Sequence, residues 1–486
     1  MAQAWPKAKP KLTQEAFDEA VASNIEDFDM ARDEAIKSAI EEFNVQGYDL
    51  SSVVTEMAGS DLDSHPIAVA CRGLKDALKD EGSLKEALAA LSASLLPSCT
   101  DAPADEGAQA STSGAPAGAG LTQEASVIAH KGEAMQSLLE ACRRLQGQEQ
   151  PEELLQALRL LQRLLSWLET RDAFTDAKGV ELIHELLKAE GSSGEVRVAA
   201  AAVAEAAARG VEEAKCRLVD SGTVAALLQL LQAPDAPLDL ISASCGVLRS
   251  VTTADDERPP SSKAFVHARL LSKHHAAIRV LLQVLRRVPA AQEPATACRV
   301  LATVKTVAAN EEICREFTDD GGVVACLQLL RECSGRRDVV RACLGALRQL
   351  AHSDTVKKLL AEAGAVPAVV AVVGEHEGAE DVAEAGLGLL GNMMLRQPEI
   401  AALGAEAGVP DLVLEAMQRH AARPAVPRQA CLLIRIMVAR SPELRPAYLE
   451  RGAEALLRAA KAAHPNQCKD VGSAALRDLG LDNYND

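Results

Sequence analysis

Apolar side chains recur every three to four residues along most of this chain, the spacing that lines one face of a helix. In TQEAFDEAVASNIEDF the pattern is Phe17, Val21, Ile25 and Phe28, and in DEAIKSAIEEF it is Ile36, Ile40 and Phe43. ELLQALRLLQRLLSWLE, TVAALLQLL and AIRVLLQVL repeat it further along. Alternation of apolar and polar positions, the mark of a half-buried strand, is nearly absent. VVAVV at 369–373 is rich in β-branched residues but sits inside a helical pattern, so it reads as helix. Thr13 reads as an N-cap, Gly47 as a C-cap and Pro66 as the first residue of a helix reaching about residue 80, with another helix at 84–95.

From residue 179 onward the helical segments return at a fixed interval. Gly179, Gly222, Gly322, Gly364, Gly408 and Gly452 each open an apolar helix, and KHHAAIRVLLQVL places Ala276 at the same point. The intervals are 43, 54, 46, 42, 44 and 44 residues. A period in the forties with helical patterning throughout predicts an armadillo or HEAT solenoid. The fold class is therefore all-α: a right-handed armadillo/HEAT-like superhelical solenoid over 121–486, after an acidic N-terminal helical region over 1–96. Between them, 97–120 reads PSCTDAPADEGAQASTSGAPAGAG, a flexible Pro/Gly/Ala/Ser linker without periodicity. Residues 252–274, TTADDERPPSSKAFVHARLLSKH, account for the long interval and read as an insertion emerging on one face.

Composition narrows the class of function. Aromatic residues are 2% of the chain, so Leu, Ala and Val must build the core, and three of the six Phe fall within 13–45. Residues 1–125 carry 22 acidic and 9 basic side chains, and the remainder carries 47 and 42, for a net charge of −18 overall. That balance argues against non-specific nucleic-acid binding. The twelve cysteines form no CxxC pair and fall singly in apolar helical stretches, as at Cys245, Cys298, Cys343 and Cys431. They read as core thiols of a protein in a reducing compartment, cytoplasmic with nuclear access left open by KAKPK at 7–11. The first residues hold no hydrophobic leader, and no apolar run approaches the roughly 20 residues of a membrane span.

The chain shows no Walker loop, HExxH, GxSxG or kinase signature, so no catalytic residue, cofactor or metal is assigned. His267, His274 and His275 are the densest histidines and read as loop residues without the further donors that a metal needs.

Candidate binding residues come from aligning the third helix of each repeat. One column reads Ser250, Thr306, Gln349, Asn392, Ile436 and Asp478; peptide-clamping armadillo proteins carry an asparagine ladder there, and here only Asn392 remains. A second column is small: Gly246, Ala302, Gly345, Gly388, Leu432 and Ala474. A third is basic, with Arg249, Lys305, Arg348, Arg435 and Arg477 broken by Gly391. Two readings stay open for it. Either the stems snorkel along the core edge with solvated heads, or they form a basic rail beside a shallow groove suited to an acidic amphipathic helix. Phe17, Ile25, Phe28, Ile36, Ile40 and Phe43 of the N-terminal helices need a surface. They are candidates for docking on that groove, for binding outside it, or for a small bundle with 66–95.

LTQEAFDEAVASNIEDFDMARDEAIKSAIEEFNVQGYDLSSVV at 12–54 resembles the N-terminal signature of the armadillo repeat-containing protein six family. ADDERPPSSKAFVHARLLSK resembles that family's Asp-rich segment, and LLGNMMLRQPE and AALRDLGL fit it as well. The resemblance implies a cytosolic or nucleocytoplasmic interaction protein with no catalytic residues and a faint link to cell differentiation in animals. The expected function is a monomeric, non-enzymatic scaffold that binds other proteins, without nucleic acid, membrane or cofactor. A structural subunit of a large assembly such as a ciliary complex is the alternative, and an importin-like peptide carrier the remote one.

Overall fold

A computed structural model describes residues 12–50, 53–55, 64–79, 83–95, 121–146, 150–256, 258 and 261–485. The linker at 97–120 lies outside them. Among the described residues every regular element is helical and no strand occurs. The chain divides into two compact units, Met1–Ala226 with Asp255–Ser261, and Leu227–Ala254 with Ser262–Asp486.

The first unit opens with a helical hairpin, Gln14–Phe28 and Arg32–Gln46. Thr13 caps it by accepting the Ala16 N–H at 3.3 Å, and Gly47 ends it in the left-handed region at φ 83°. Phe17, Val21, Ala35 and Ala39 are buried between the two helices, with Ile25, Ile36, Ile40 and Phe43 packed around them. Pro66–Lys79 and Leu84–Ser94 do not join this hairpin as a bundle. Pro66–Lys79 packs on Gln123–Lys131 and Ala134–Gln146, and Leu84–Ser94 packs on Pro151–Leu164. The helices before the expected start at 121 therefore pack directly on the first repeats of the same unit. The apolar stripes Ile67, Ala70, Cys71, Leu74 and Leu84, Leu88, Leu91 are buried by this stacking, which a free helix pair would leave half uncovered.

From Gln123 the helices run in eight triplets. The third helices pack on one another in chain order within each unit. In the first unit these are Leu84–Ser94, Pro151–Leu164 and Gly194–Ala208. In the second they are Leu238–Val251, Pro294–Val307, Arg337–Leu350, Glu380–Met394, Ala425–Arg440 and Pro465–Asp478.

Between the first and second helix of every triplet one residue takes a positive φ: Glu133, Lys178, Gly222, Ala276, Gly321, Gly364, Gly408 and Gly452. The turn glycines marked at 179 and 322 are thus one residue late. Their place in the sequence has a different cause, because a Cβ at Gly179 or Gly322 would fall 2.4 or 2.3 Å from the ring of Phe174 or Phe317. In three triplets an arginine of the preceding second helix donates to the carbonyl just before the left-handed residue. Arg143 reaches Ala177 at 2.9 Å, Arg286 reaches Asp320 at 2.6 Å and Arg331 reaches Ala363 at 3.4 Å. A cation there also meets the negative end of the first helix. At the far end of the second helix, His376, His420 and His464 donate to the carbonyls of Ser334, Glu377 and Ala421 at 2.5, 3.0 and 2.7 Å.

The described residues of the expected insertion at 252–274 fall into two parts. Its second half is the helix Ala264–His275, which stands as the first helix of its triplet and carries His267, His274 and His275. These are helical residues rather than loop ones, and His267 is buried with its Nδ1 3.0 Å from the Val251 carbonyl. Its first half is a polar strap in the first unit. Asp256 accepts the Glu212 N–H at 2.8 Å, capping the helix Glu212–Asp220 from 44 residues away, and Asp255 accepts the Gly210 N–H at 3.2 Å. Asp255 also pairs with Lys215, whose side chain is fully buried and lies 3.7 Å from Glu212. Arg258 closes the strap by bonding Asp256 at 3.0 Å and Asp172 at 2.8 Å. Burial raises the Asp256 carboxyl, but the Arg258 guanidinium and the Glu212 and Arg258 N–H groups outweigh that and hold it below its ordinary 3.8.

Three stability measurements follow from these contacts. Ala276→Gly should raise the unfolding free energy by about 1 kcal/mol, and Gly364→Ala should lower it by about as much, because only glycine enters the left-handed region freely. Urea melts with unshifted midpoints in both variants would contradict the turn assignment. Lys215→Met should cost about 3 kcal/mol, since Glu212 and Asp255 lose a buried cation; a thermal midpoint equal to the parent's would refute this. A carboxyl depressed by folding stabilises above its ordinary pKa and loses that contribution as pH falls through its folded value. Stability should therefore drop below about pH 4, and Asp256→Asn should flatten that acid limb of the curve.

Candidate functional site on the third-helix wall

The six third helices of the second unit bring the three sequence columns together as neighbouring rows. In the basic row Lys305, Arg435 and Arg477 are exposed, and Arg249 and Arg348 are half-buried. Arg435 and Arg477 share one carboxylate, Asp478, at 3.3 and 3.0 Å. Arg249, Lys305 and Arg348 have no carboxylate within ion-pair distance among the described residues. The row is thus neutralised at its C-terminal end and bare over three consecutive repeats.

The small row has two uses. At Gly388 a Cβ would lie 2.6 Å from Arg348 Nη1, so the glycine is the seat of that guanidinium on the following helix. Gly345 has nothing within 4 Å of its Cβ position and lies open beside the bare cations. Gly246 is buried, Ala302 is partly exposed, and Leu432 and Ile436 present partly exposed apolar surface further along.

The polar row is spent on the protein itself. Thr306 accepts from Thr252 at 2.8 Å, and Gln349 donates to the Ala308 carbonyl at 2.9 Å. Asn392 donates to the Arg348 carbonyl at 3.2 Å, and Asp478 accepts from Arg435. Each bond joins a third helix or its end to the one before it, so the residues at the clamp positions act as cross-links between repeats.

The N-terminal candidates are placed differently from one another. Phe17 is fully buried, and Ile25, Ile36, Ile40 and Phe43 pack against it, so these side chains form the hairpin's own core. Phe43 lies 6.3 Å from the Phe17 ring and meets Tyr48 edge-on at 5.7 Å. Only Phe28 among them stays outside, 67% exposed at the hairpin tip. The hairpin is held to first helices of its own unit by polar contacts. The Gln14 N–H donates to Glu169 at 2.8 Å, and Asp18 pairs with Lys131 at 2.7 Å. Burial, with the nearby Glu15, Asp172 and Asp18 charges, raises the Glu169 carboxyl despite the Gln14 N–H. Burial lowers His130, which stacks edge-on against Trp167 at 5.7 Å. Sequence spacing finds the apolar stripe of these helices but carries no sign of Lys131 or Glu169 as their anchors.

The eleven described cysteines are free thiols, nine of them buried. Burial pushes Cys142 and Cys326 up to about 12, so they behave as small apolar side chains. Cys468 is the exception: the hydrogen bond with Cys431, and the nearby His464 and Arg428, lower it. Among the described residues no helix is long and apolar enough to cross a membrane.

Comparison with known proteins agrees with this architecture. The ARMC6 family pattern matches residues 122–483, and the Armadillo repeat-containing protein 6 N-terminal domain matches residues 9–73. The chain is 28% identical to Armadillo repeat-containing protein 6 of Homo sapiens over 366 residues, 73% of this chain and 68% of that protein. It is 27% identical to the Drosophila melanogaster homolog over 123 residues, 25% of each chain. An engineered protein of known crystal structure superposes with a TM-score of 0.66 over 96% of this chain and 95% of its own, at 19% identity, a likeness of fold alone. With its helix triplets in register from Gln123 and the family pattern running from 122 to 483, the chain belongs to the ARMC6 family of armadillo repeat proteins.

Proposed function

We propose that this chain is a non-catalytic protein-binding scaffold and that the third-helix wall of its second unit receives an acidic partner. The observation that carries the reading is the bare stretch of the basic row. Arg249, Lys305 and Arg348 stand on three consecutive third helices with no carboxylate partner among the described residues. Solvated stems would suffice for each alone, but a repeated, unpaired cation beside the open Gly345 position also forms a row that attracts an anionic surface. The polar row argues against the importin-like carrier, because its amides already bond to the protein's own main chain. A monomer in the cytosol or nucleus is part of the proposal, supported by the free thiols.

The test is binding of fluorescein-labelled acidic peptides to the full chain, followed by anisotropy. Arg249→Glu with Lys305→Glu should weaken binding at least about tenfold, and raising salt from 50 to 200 mM, a range chosen to shorten the Debye length from roughly 14 to 7 Å, should weaken it in the parent. Affinity that is unmoved by charge reversal in a variant with the parent's melting midpoint would remove the wall from consideration.

A further inference from the structure

We infer that the partner of this wall is an α-helix carrying acidic side chains seven residues apart, lying across the third helices rather than along them. The inference rests on the reading of the wall as a docking face and adds the conformation and spacing of the occupant.

The first argument concerns the ligand's backbone. An extended peptide exposes its N–H and C=O groups, and a receptor must offer side-chain amides or hydroxyls to pair with them. Here Gln349 and Asn392 direct their amides at the carbonyls of Ala308 and Arg348, and Thr306 is bonded to Thr252. A polyproline segment leaves its backbone solvated but is held by aromatic-lined grooves. None of the six third helices contains Phe, Tyr or Trp. A helix pairs its own backbone internally and asks the wall only for side-chain contacts.

The second argument is metric. Packed helices lie about 8–10 Å apart, so one cation per repeat recurs at about that distance along the wall. A helix returns nearly to the same face after seven residues, a rise of about 10.5 Å, and the reach of Arg and Lys stems absorbs the remainder. Three acidic residues at i, i+7 and i+14 therefore meet Arg348, Lys305 and Arg249 in either direction.

The third argument is room. Gly345 and Ala302 present no side chain beyond a methyl beside these cations, and nothing occupies the space within 4 Å of a Cβ at Gly345. Arg348 rests with its guanidinium against Gly388 of the following third helix. A helix can settle close to the floor with its acidic side chains directed at the row.

The experiment uses the full chain and three labelled peptides of equal composition, each about 22 residues long, to span three heptads. One is a helix former with Glu at i, i+7 and i+14. The second has its three Glu adjacent, and the third is the first with its central residue exchanged with a terminal proline. The heptad peptide should bind about tenfold more tightly than the other two. Gly345→Leu should weaken it at least about fivefold, with no change in charge and no loss of melting midpoint. If the proline or adjacent-Glu peptide binds as well as the heptad peptide while Arg249→Glu with Lys305→Glu still abolishes binding, the helix inference is wrong and the acidic-partner reading stands. If no peptide binds, or charge reversal changes nothing, both are wrong.

Discussion

The stacking of this protein depends on one turn, repeated in every triplet. A left-handed residue between the first and second helices reverses the chain there. Where Arg143, Arg286 or Arg331 reaches the carbonyl before that residue, the turn of one repeat is fastened to the second helix of the repeat before it. The local reversal and the step to the next repeat are then set at a single point. His376, His420 and His464 fasten the opposite end of their second helices to the repeat before. A slip of one repeat along its neighbour would break bonds at both ends and leave carbonyls unpaired, each costing about 1–3 kcal/mol if buried.

The same economy governs the wall. Thr306, Gln349, Asn392 and Asp478 at the clamp positions are polar, but the wall uses them to join adjacent third helices. This ties adjacent third helices together and leaves charge and shape as what the wall presents to solvent. Asp478 shows how local the charge balance is. It pairs with Arg435 and Arg477 and quiets the C-terminal end of the row, while the three cations before it keep an unbalanced field. Gly388 belongs to the same arrangement, because a methyl there would displace the Arg348 guanidinium.

Polar contacts between distant segments also decide how the first unit is closed. A strap of Asp255, Asp256 and Arg258 supplies the cap of the helix Glu212–Asp220 and the counter-charge of Lys215. The acidic residues of the family-like segment are therefore explained by two orphan N–H groups and one buried ammonium. The N-terminal hairpin likewise keeps Phe17 and Phe43 for its own core and meets first helices through Gln14 and Asp18.

The sequence by itself determined that the protein is helical, repeated and built on Leu, Ala and Val, because helical spacing and the turn period are local properties of the chain. Gly222, Ala276, Gly364, Gly408 and Gly452 are the turn residues that the period indicated. Glu133 and Lys178 escaped it because a left-handed residue need not be glycine, and Gly179 and Gly322 misled it because packing against an aromatic ring also selects glycine. The three columns of the wall were legible as rows, since their spacing follows from the helix. Which cations stay unpaired was not, because Asp478 neutralises Arg435 from a different repeat. Nor was the packing of the helices Pro66–Lys79 and Leu84–Ser94 on the first repeats, or the partners of Asp255, Asp256 and Arg258. Those depend on which segments meet across 40 or more residues, and only the tertiary structure brings them together.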